Sequence, residues 1–305
     1  MRFTIYQESR QGGRKNNEDR LAHCYSRDAL LMVIADGMGG HYYGEVAAQI
    51  AVQTMTAAFQ REAQPRLEDP FWFLQKNISN AHHAILSYCD LHKLKDSPRT
   101  TVVACVVQDN VAYWAHVGDS RLYLIRQDSI LCRTRDHSQV QLMIDQGRIT
   151  PEQAETHPER NKVYSCLGGS QMPDVECSRK TPLQSGDVIV LCTDGIWGML
   201  PGNAMVQAMQ HSNLLQAVPQ CMDRVEQWAG AHGDNLSMIV VRWEDSYSEL
   251  TRSSVSTQTM GPNEFTTQLD EFGHNHSYKS DLSDDEIERA IEEIRAAIDK
   301  YSFKK

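Results

Sequence analysis

The residues with chemistry to offer are aspartates standing where apolar runs stop. Asp36 follows the continuous apolar run 30–35 and opens Asp36-Gly37-Met38-Gly39-Gly40. Asp194 follows the apolar run 188–192 and opens Asp194-Gly195, while Asp119 sits in the tight turn Gly118-Asp119-Ser120. Asp234 lies in Gly233-Asp234-Asn235, just ahead of the run 238–243, and Glu18 and Asp19 stand in a polar turn after the first strand. Taken singly, an Asp-Gly after a strand is ordinarily only a turn, because both residues tolerate turn dihedrals. Several carboxylates at one rim would repel each other unless cations sat among them. Oxygen-only donors select hard ions such as Mg²⁺ or Mn²⁺, whereas zinc prefers His and Cys. A glycine after Asp36 also lets a backbone carbonyl approach an ion closely. On the residues alone, a set of turns and a metal cluster both stay open.

These acids need elements to position them. Short runs at 3–6, 30–35, 101–107, 111–117, 121–125, 188–192 and 238–243 have strand length, and the middle three follow one another as a meander of hairpins. Helical spacing marks 43–60 and 70–92, with stripes such as Val46, Ala47, Ile50, Ala51 and Phe71, Leu74, Ile78; two further helices are expected near 203–210 and 213–230. Strands in runs with helices in grouped pairs predict an α+β fold of two packed sheets with helices outside.

The net charge of −10 disfavours a broad grip on nucleic acid or anionic lipid. No apolar run reaches transmembrane length and the first residues lack the apolar core of a signal peptide, so no membrane insertion is expected. The eight cysteines are scattered without Cys-x-x-Cys spacing, which reads as a reducing, cytoplasmic setting. Residues 244–305 carry −7 of the net charge, and eight of the fifteen residues 246–260 are Ser or Thr. That shift places a boundary near Asp245, with a catalytic domain over 1–243, an acidic linker over 244–282 and a helix over 283–305.

Four ordered segments carry a family resemblance: Arg14-Lys15-Asn16-Asn17-Glu18-Asp19-Arg20, Val33-Ile34-Ala35-Asp36-Gly37-Met38-Gly39-Gly40, His116-Val117-Gly118-Asp119-Ser120-Arg121 and Cys192-Thr193-Asp194-Gly195-Ile196-Trp197. With Gly233-Asp234-Asn235-Leu236-Ser237 as a fifth, the chain resembles the metal-dependent protein phosphatases of type 2C. Asp136-His137-Ser138, Ile149-Thr150-Pro151-Glu152, His157-Pro158 and Leu167-Gly168-Gly169 resemble the flap of that family's bacterial branch, placed here at about 138–165.

The resemblance implies an α-β-β-α sandwich and a serine/threonine phosphoprotein phosphatase using Mn²⁺ or Mg²⁺, as two ions with a possible third. Asp36 would bridge two ions, the Gly37 carbonyl would complete a shell, and Asp194 and Asp234 would hold one ion. Glu18 and Asp19 would act close to the ions, and Asp119 with Asp194 matches a third-ion position. Two cations roughly 3.5–4 Å apart lower the pKa of a shared water, which then attacks the phosphoryl group directly. Arg14 matches the phosphate-binding arginine, its planar fork suited to two phosphoryl oxygens.

Two positions depart from the family pattern. Met38 stands where some members have a histidine suited to protonating the leaving group, and nearby His41 reads as a surface or structural histidine. Arg99 stands where the family usually has glycine, so Thr100 and Thr101 are expected only to start a core strand. In the flap, Gln139, Leu142, Met143 and Ile144 predict a short amphipathic helix, and His82 and His83 are expected to be exposed.

In the tail, Ser283-Asp284-Asp285-Glu286 has the form of a capping box, and Ile287, Ala290, Ile291, Ile294, Ala297 and Ile298 make a narrow apolar stripe. A helix this short needs a partner for its stripe: the catalytic domain, a second copy or another protein. The partners implied are phosphorylated proteins and a cognate serine/threonine kinase. The alternative is a catalytically idle phosphoprotein-binding module on the same fold; a metal-dependent nuclease is disfavoured by the acidic balance.

Overall fold

The computed structural model describes residues 1–38, 43–209, 213–244, 255–257, 260–261 and 264–269. The chain begins with β1 (Arg2–Arg10), β2 (Asp19–Tyr25) and β3 (Ala29–Met38), then two long helices, α1 (Gly44–Glu62) and α2 (Pro70–Leu91). A meander follows in β4 (Arg99–Thr100), β5 (Val102–Gln108), β6 (Val111–Val117), β7 (Arg121–Arg126) and β8 (Ser129–Arg133). Next come α3 (Gln139–Asp145), α4 (Pro151–Glu155), β9 (Glu176–Cys177) and β10 (Thr181–Pro182). β11 (Val188–Cys192), α5 (Asp194–Trp197), α6 (Gly202–Met209), α7 (Leu214–Ala229) and β12 (Leu236–Trp243) lead to two short strands, β13 (Val255–Ser256) and β14 (Thr266–Leu269).

One sheet runs β13-β1-β12-β11-β7-β8 and the other β10-β6-β5-β3-β2-β14, with β4 beside β3 and β9 beside β6. The apolar runs are continuous because both faces of these strands are covered. In β3, Leu31, Val33 and Ala35 face α1 and α2 among Ile50, Phe59, Phe73 and Ile78. The alternate residues Leu30, Met32 and Ile34 face the other sheet, against Leu122, Leu191 and Ile239. β12 repeats the pattern, sending Ile239 and Val241 between the sheets and Met238 and Val240 onto α6 and α7. The layers are therefore helix, sheet, sheet, helix, as the sequence pattern predicts.

Local chemistry fixes the connections. Pro70 opens α2 and the Asp69 carboxylate accepts the Phe71 and Trp72 amides at 2.9 and 3.1 Å, which caps the helix. Asp109 and Asn110 both take positive φ, 56° and 58°, the tight hairpin geometry that these residue types tolerate best.

The structure differs from the sequence expectations at three places. Asp19 begins a strand instead of standing in a turn. The alternation of β2 is hidden by polar side chains satisfied inside: Arg20 Nε donates to Gln49 Oε1 at 3.1 Å, and His23 Nδ1 pairs with Gln7 Oε1 at 2.7 Å. Residues within 244–282, read as a linker, supply β13 beside β1 and β14 beside β2. Edge pairing uses the backbone, so it needs no apolar pattern. His82 is buried rather than exposed, its Nδ1 accepting the Gly168 amide at 3.2 Å. The expected helix at 283–305 and His41 lie outside the described residues.

Candidate active site

Register brings the acids to one end of the sandwich. Asp19 lies opposite Asp36 across β2 and β3, and Val102 lies opposite Val117, two residues before Asp119. In the other sheet Cys192 faces Met238 and Arg10 faces Leu236, so Asp194 and Asp234 leave from the same end. The two sheets are tied there by Thr193 Oγ1, which donates to Asp19 Oδ2 at 2.9 Å and accepts the Ser237 amide at 3.2 Å.

Asp36 is held through its backbone. Its amide donates to Thr101 Oγ1 at 3.1 Å, and its carbonyl accepts from the Thr101 amide at 2.9 Å and Thr100 Oγ1 at 2.8 Å. Thr100 and Thr101 thus do more than begin a core strand. Gly37 follows in a space with no room for a side chain: a Cβ there would meet the Gly44 carbonyl carbon and oxygen at 2.4 Å and the Glu18 carbonyl oxygen at 2.7 Å. Gly44, which opens α1, is equally constrained, since a Cβ would lie 2.3 Å from Glu18 Oε2. The two glycines allow the end of β3, the start of α1 and Glu18 to close on one point.

Arg14 and Glu18 arrive on a loop folded over by Asn235. The Asn235 side chain accepts the Glu18 amide at 2.9 Å and donates to the carbonyls of Gln11 and Asn16 at 2.8 and 2.9 Å. Gly12, at φ +62°, and Gly13 let this loop lie on the backbone of 231–234. Arg14 Nη2 then donates to Asp234 Oδ2 at 2.6 Å, with its side chain 57% exposed. On the far side, Trp197 Nε1 donates to the Asp119 carbonyl at 2.9 Å. Arg121 stacks 3.5 Å over the Trp197 ring while its guanidinium donates to both Asp136 oxygens at 2.8 and 2.7 Å.

All the acids singled out in the sequence therefore gather at one rim with Arg14. Crowding and burial favour the protonated form of five of them. Burial first, then Asp19, Asp194, Asp119 and Asp234, pushes Asp36 well above the usual carboxylate range. Burial and Asp194 do the same to Asp119. Burial raises Asp19 to about 7, with hydrogen bonds from Ser237 and Thr193 opposing, and raises Glu18 and Asp194 to about 6. Asp19 Oδ1 is buried with no hydrogen-bond partner. An all-oxygen donor set with an orphaned buried carboxylate oxygen, short of positive charge, fits hard divalent cations. Asn235, Thr193, Thr101 and Trp197 are site residues that the sequence reading does not single out; Asn235, Thr193 and Trp197 carry a signal there, since they stand in the quoted motifs beside Asp234 and Asp194, and Thr101 carries none.

Residues 7–237 match the family model described as protein phosphatase 2C. The chain is 31% identical over 244 residues to protein phosphatase PhpP of Streptococcus pneumoniae, covering 77% of this chain and 95% of that one. The crystal structure of the serine/threonine phosphatase PstP/Ppp of Mycobacterium tuberculosis superposes with a TM-score of 0.70 at 29% identity, over 80% of this chain and 100% of that one. A structure of the PstP catalytic domain in complex with two manganese ions matches at 28% identity and a TM-score of 0.67, over 80% of this chain and 99% of that one.

Proposed function

Because the chain belongs to the protein phosphatase 2C family, we propose that its gathered acids and Arg14 are the hydrolytic centre of a serine/threonine phosphatase that uses two manganese or magnesium ions. The reaction is hydrolysis of a phosphomonoester: water adds at phosphorus, the P–O bond to the serine or threonine oxygen breaks, and that oxygen leaves with a proton as the free hydroxyl.

Asp36 would serve both ions, with Asp194 and Asp234 for one of them and Glu18, Asp19 and the Gly37 carbonyl close by. Asp119, next to Asp194, would serve a third. When bound, the cations supply an acidified water as nucleophile and offset charge on the phosphoryl oxygens. Arg14 needs only to turn from Asp234 to present its fork to two of those oxygens, and its exposure leaves that turn unhindered. Thr101, Thr193 and Asn235 hold the carboxylates and the loop in place before substrate arrives, so little reorganisation falls on the reaction itself. Met38 offers no proton to the leaving oxygen.

The observation that carries this reading is the convergence of Asp19, Asp36, Asp119, Asp194 and Asp234 on one rim beside an exposed arginine. An idle phosphoprotein-binding module has no use for so many facing acids. Substrates are proteins phosphorylated on serine or threonine, and the implied counterpart is a kinase of the same specificity. The eight cysteines are all free thiols, in keeping with a cytoplasmic setting. Among the described residues no helix is long and apolar enough to cross a membrane.

The test is hydrolysis of a phosphothreonine peptide by the wild-type protein with Mn²⁺, with chelator, and by Asp36→Asn. Turnover that needs Mn²⁺ and is lost in the variant is expected. No turnover by folded, Mn²⁺-loaded wild type would overturn the reading in favour of a binding module.

A further inference from the structure

Away from the acid rim, three side chains with a different chemistry come together. His116 on β6 and Glu176 on β9 lie opposite each other in register, and His137 stands immediately before Ser138, the N-cap of α3. One donor atom from each of the three lies within 4.8 Å of the other two. Both histidines are buried, at 2% exposure, whereas Glu176 reaches solvent.

The hydrogen bonds assign the donor atoms. His116 Nε2 lies 2.7 Å from the Arg135 carbonyl, which can only accept, so Nε2 carries the proton and Nδ1 keeps its lone pair. That Nδ1 is buried and has no hydrogen-bond partner. A histidine whose second nitrogen donates to a backbone carbonyl is oriented as metal-bound histidines are. His137 Nε2 is likewise buried without a hydrogen-bond partner, 3.6 Å from Glu176 Oε2. Ligand bonds of 2.0–2.2 Å in a tetrahedral shell put neighbouring donors roughly 3.4 Å apart, close to that spacing. Binding through Nε2 moves the His137 proton to Nδ1 and gives up the long 3.3 Å contact from the Gly118 amide. A buried core histidine is ordinarily satisfied at both nitrogens; here one nitrogen on each ring has no hydrogen-bond partner, and that of His137 lies beside the Glu176 carboxylate.

We propose that His116, His137 and Glu176 form a second metal site, of zinc-type chemistry, that clamps both roots of the flap to β6. Two imidazoles and one carboxylate suit Zn²⁺ with an open fourth position, in contrast to the all-oxygen acid rim. The chain leaves the sheet after β8, builds α3 and α4, and returns at β9, so His137 and Glu176 are its exit and its re-entry. His116 lies three residues before Asp119, and the clamp therefore links flap order to the edge of the hydrolytic centre.

The experiment uses the full chain, stripped with chelator and then supplied with excess Mg²⁺. Cobalt serves as the visible probe and zinc as the competitor. Wild type and Asp36→Asn are expected to take up an equivalent showing the intense visible absorption of four-coordinate cobalt with nitrogen ligands, displaced by zinc, and zinc is expected to raise their melting temperatures. Glu176→Gln, a change at an exposed position, should lose that absorption and the zinc-induced rise, bind zinc more weakly, and keep Mg²⁺-supported turnover. His116→Gln should lose the site as well. Equal cobalt spectra and zinc affinities in wild type and Glu176→Gln, or no such equivalent in wild type, would overturn the proposal.

Discussion

Replacing Asn235 tests whether the loop bearing Arg14 and Glu18 is held by one side chain. That side chain makes three hydrogen bonds, one accepted from Glu18 and two donated to Gln11 and Asn16. At about 0.5–1.5 kcal/mol each, their sum is about 1.5–4.5 kcal/mol. Gln11 and Asn16 are exposed, so water replaces much of what their carbonyls lose. About 2 kcal/mol is therefore expected for Asn235→Ala, or a fall of about 4–8 °C in melting temperature for a domain of this size. Asn235→Asp is the sharper probe. It retains the acceptor for Glu18, but turns a donor into an oxygen facing two carbonyls and adds charge beside the acids, so its fall should be larger. Thermal unfolding in saturating Mg²⁺ reads both, and the KM for a phosphopeptide should rise in step as Arg14 loses its position. An Asn235→Ala melting temperature within about 1 °C of wild type, or Asn235→Asp at least as stable as Asn235→Ala, would refute the reasoning.

Arg14→Ala should raise the phosphopeptide KM by about 10–100-fold, the worth of charged hydrogen bonds, and Arg14→Lys should recover only part of it, as steady-state kinetics would show. Gly37→Ala forces apart the end of β3 and the start of α1; a loss of about 1–3 kcal/mol is expected from denaturant midpoints, and an unchanged midpoint counts against the close packing described. Asp19, Asp194 and Glu18 hold protons up to about 7, 6 and 6 in the cation-free fold, above the values of 3.8, 3.8 and 4.5 that stand for the unfolded chain. Between those limits the folded chain binds more protons, so cation-free stability falls as pH rises through that window. The melting-temperature gap between Mg²⁺-loaded and chelated protein should widen from pH 5 to pH 8; a gap that narrows would refute this charge balance.

The acids of the rim were legible because their positions follow from two local facts, an apolar run and a turn residue after it. The run 30–35 marks β3 plainly, since both of its faces are covered, and Asp36 falls where it ends. β2 was not legible. Its burial depends on partners distant in sequence, Gln7 for His23 and Gln49 for Arg20, so its polar residues look like a turn. Burial pushes His23 down to about 4, which keeps it neutral inside. The latch at Asn235 was hidden for the same reason, as its three partners lie more than 200 positions away. His116, His137 and Glu176 likewise meet only when β9 returns to β6.

Two short outer strands, β13 and β14, have a consequence unrelated to hydrolysis. A sheet margin with bare amides and carbonyls is a template on which a second chain can polymerise. β13 occupies that margin at Arg2 and Phe3 of β1, and β14 occupies it from Ala22 to Tyr25 of β2. Both guards come from beyond the last family motif. Colloidal behaviour and turnover are thus encoded in separate stretches of this polypeptide: a preparation trimmed after 243 would keep every acid of the centre while baring two adhesive margins, and the guarding stretch can drift in side-chain identity so long as its backbone still reaches.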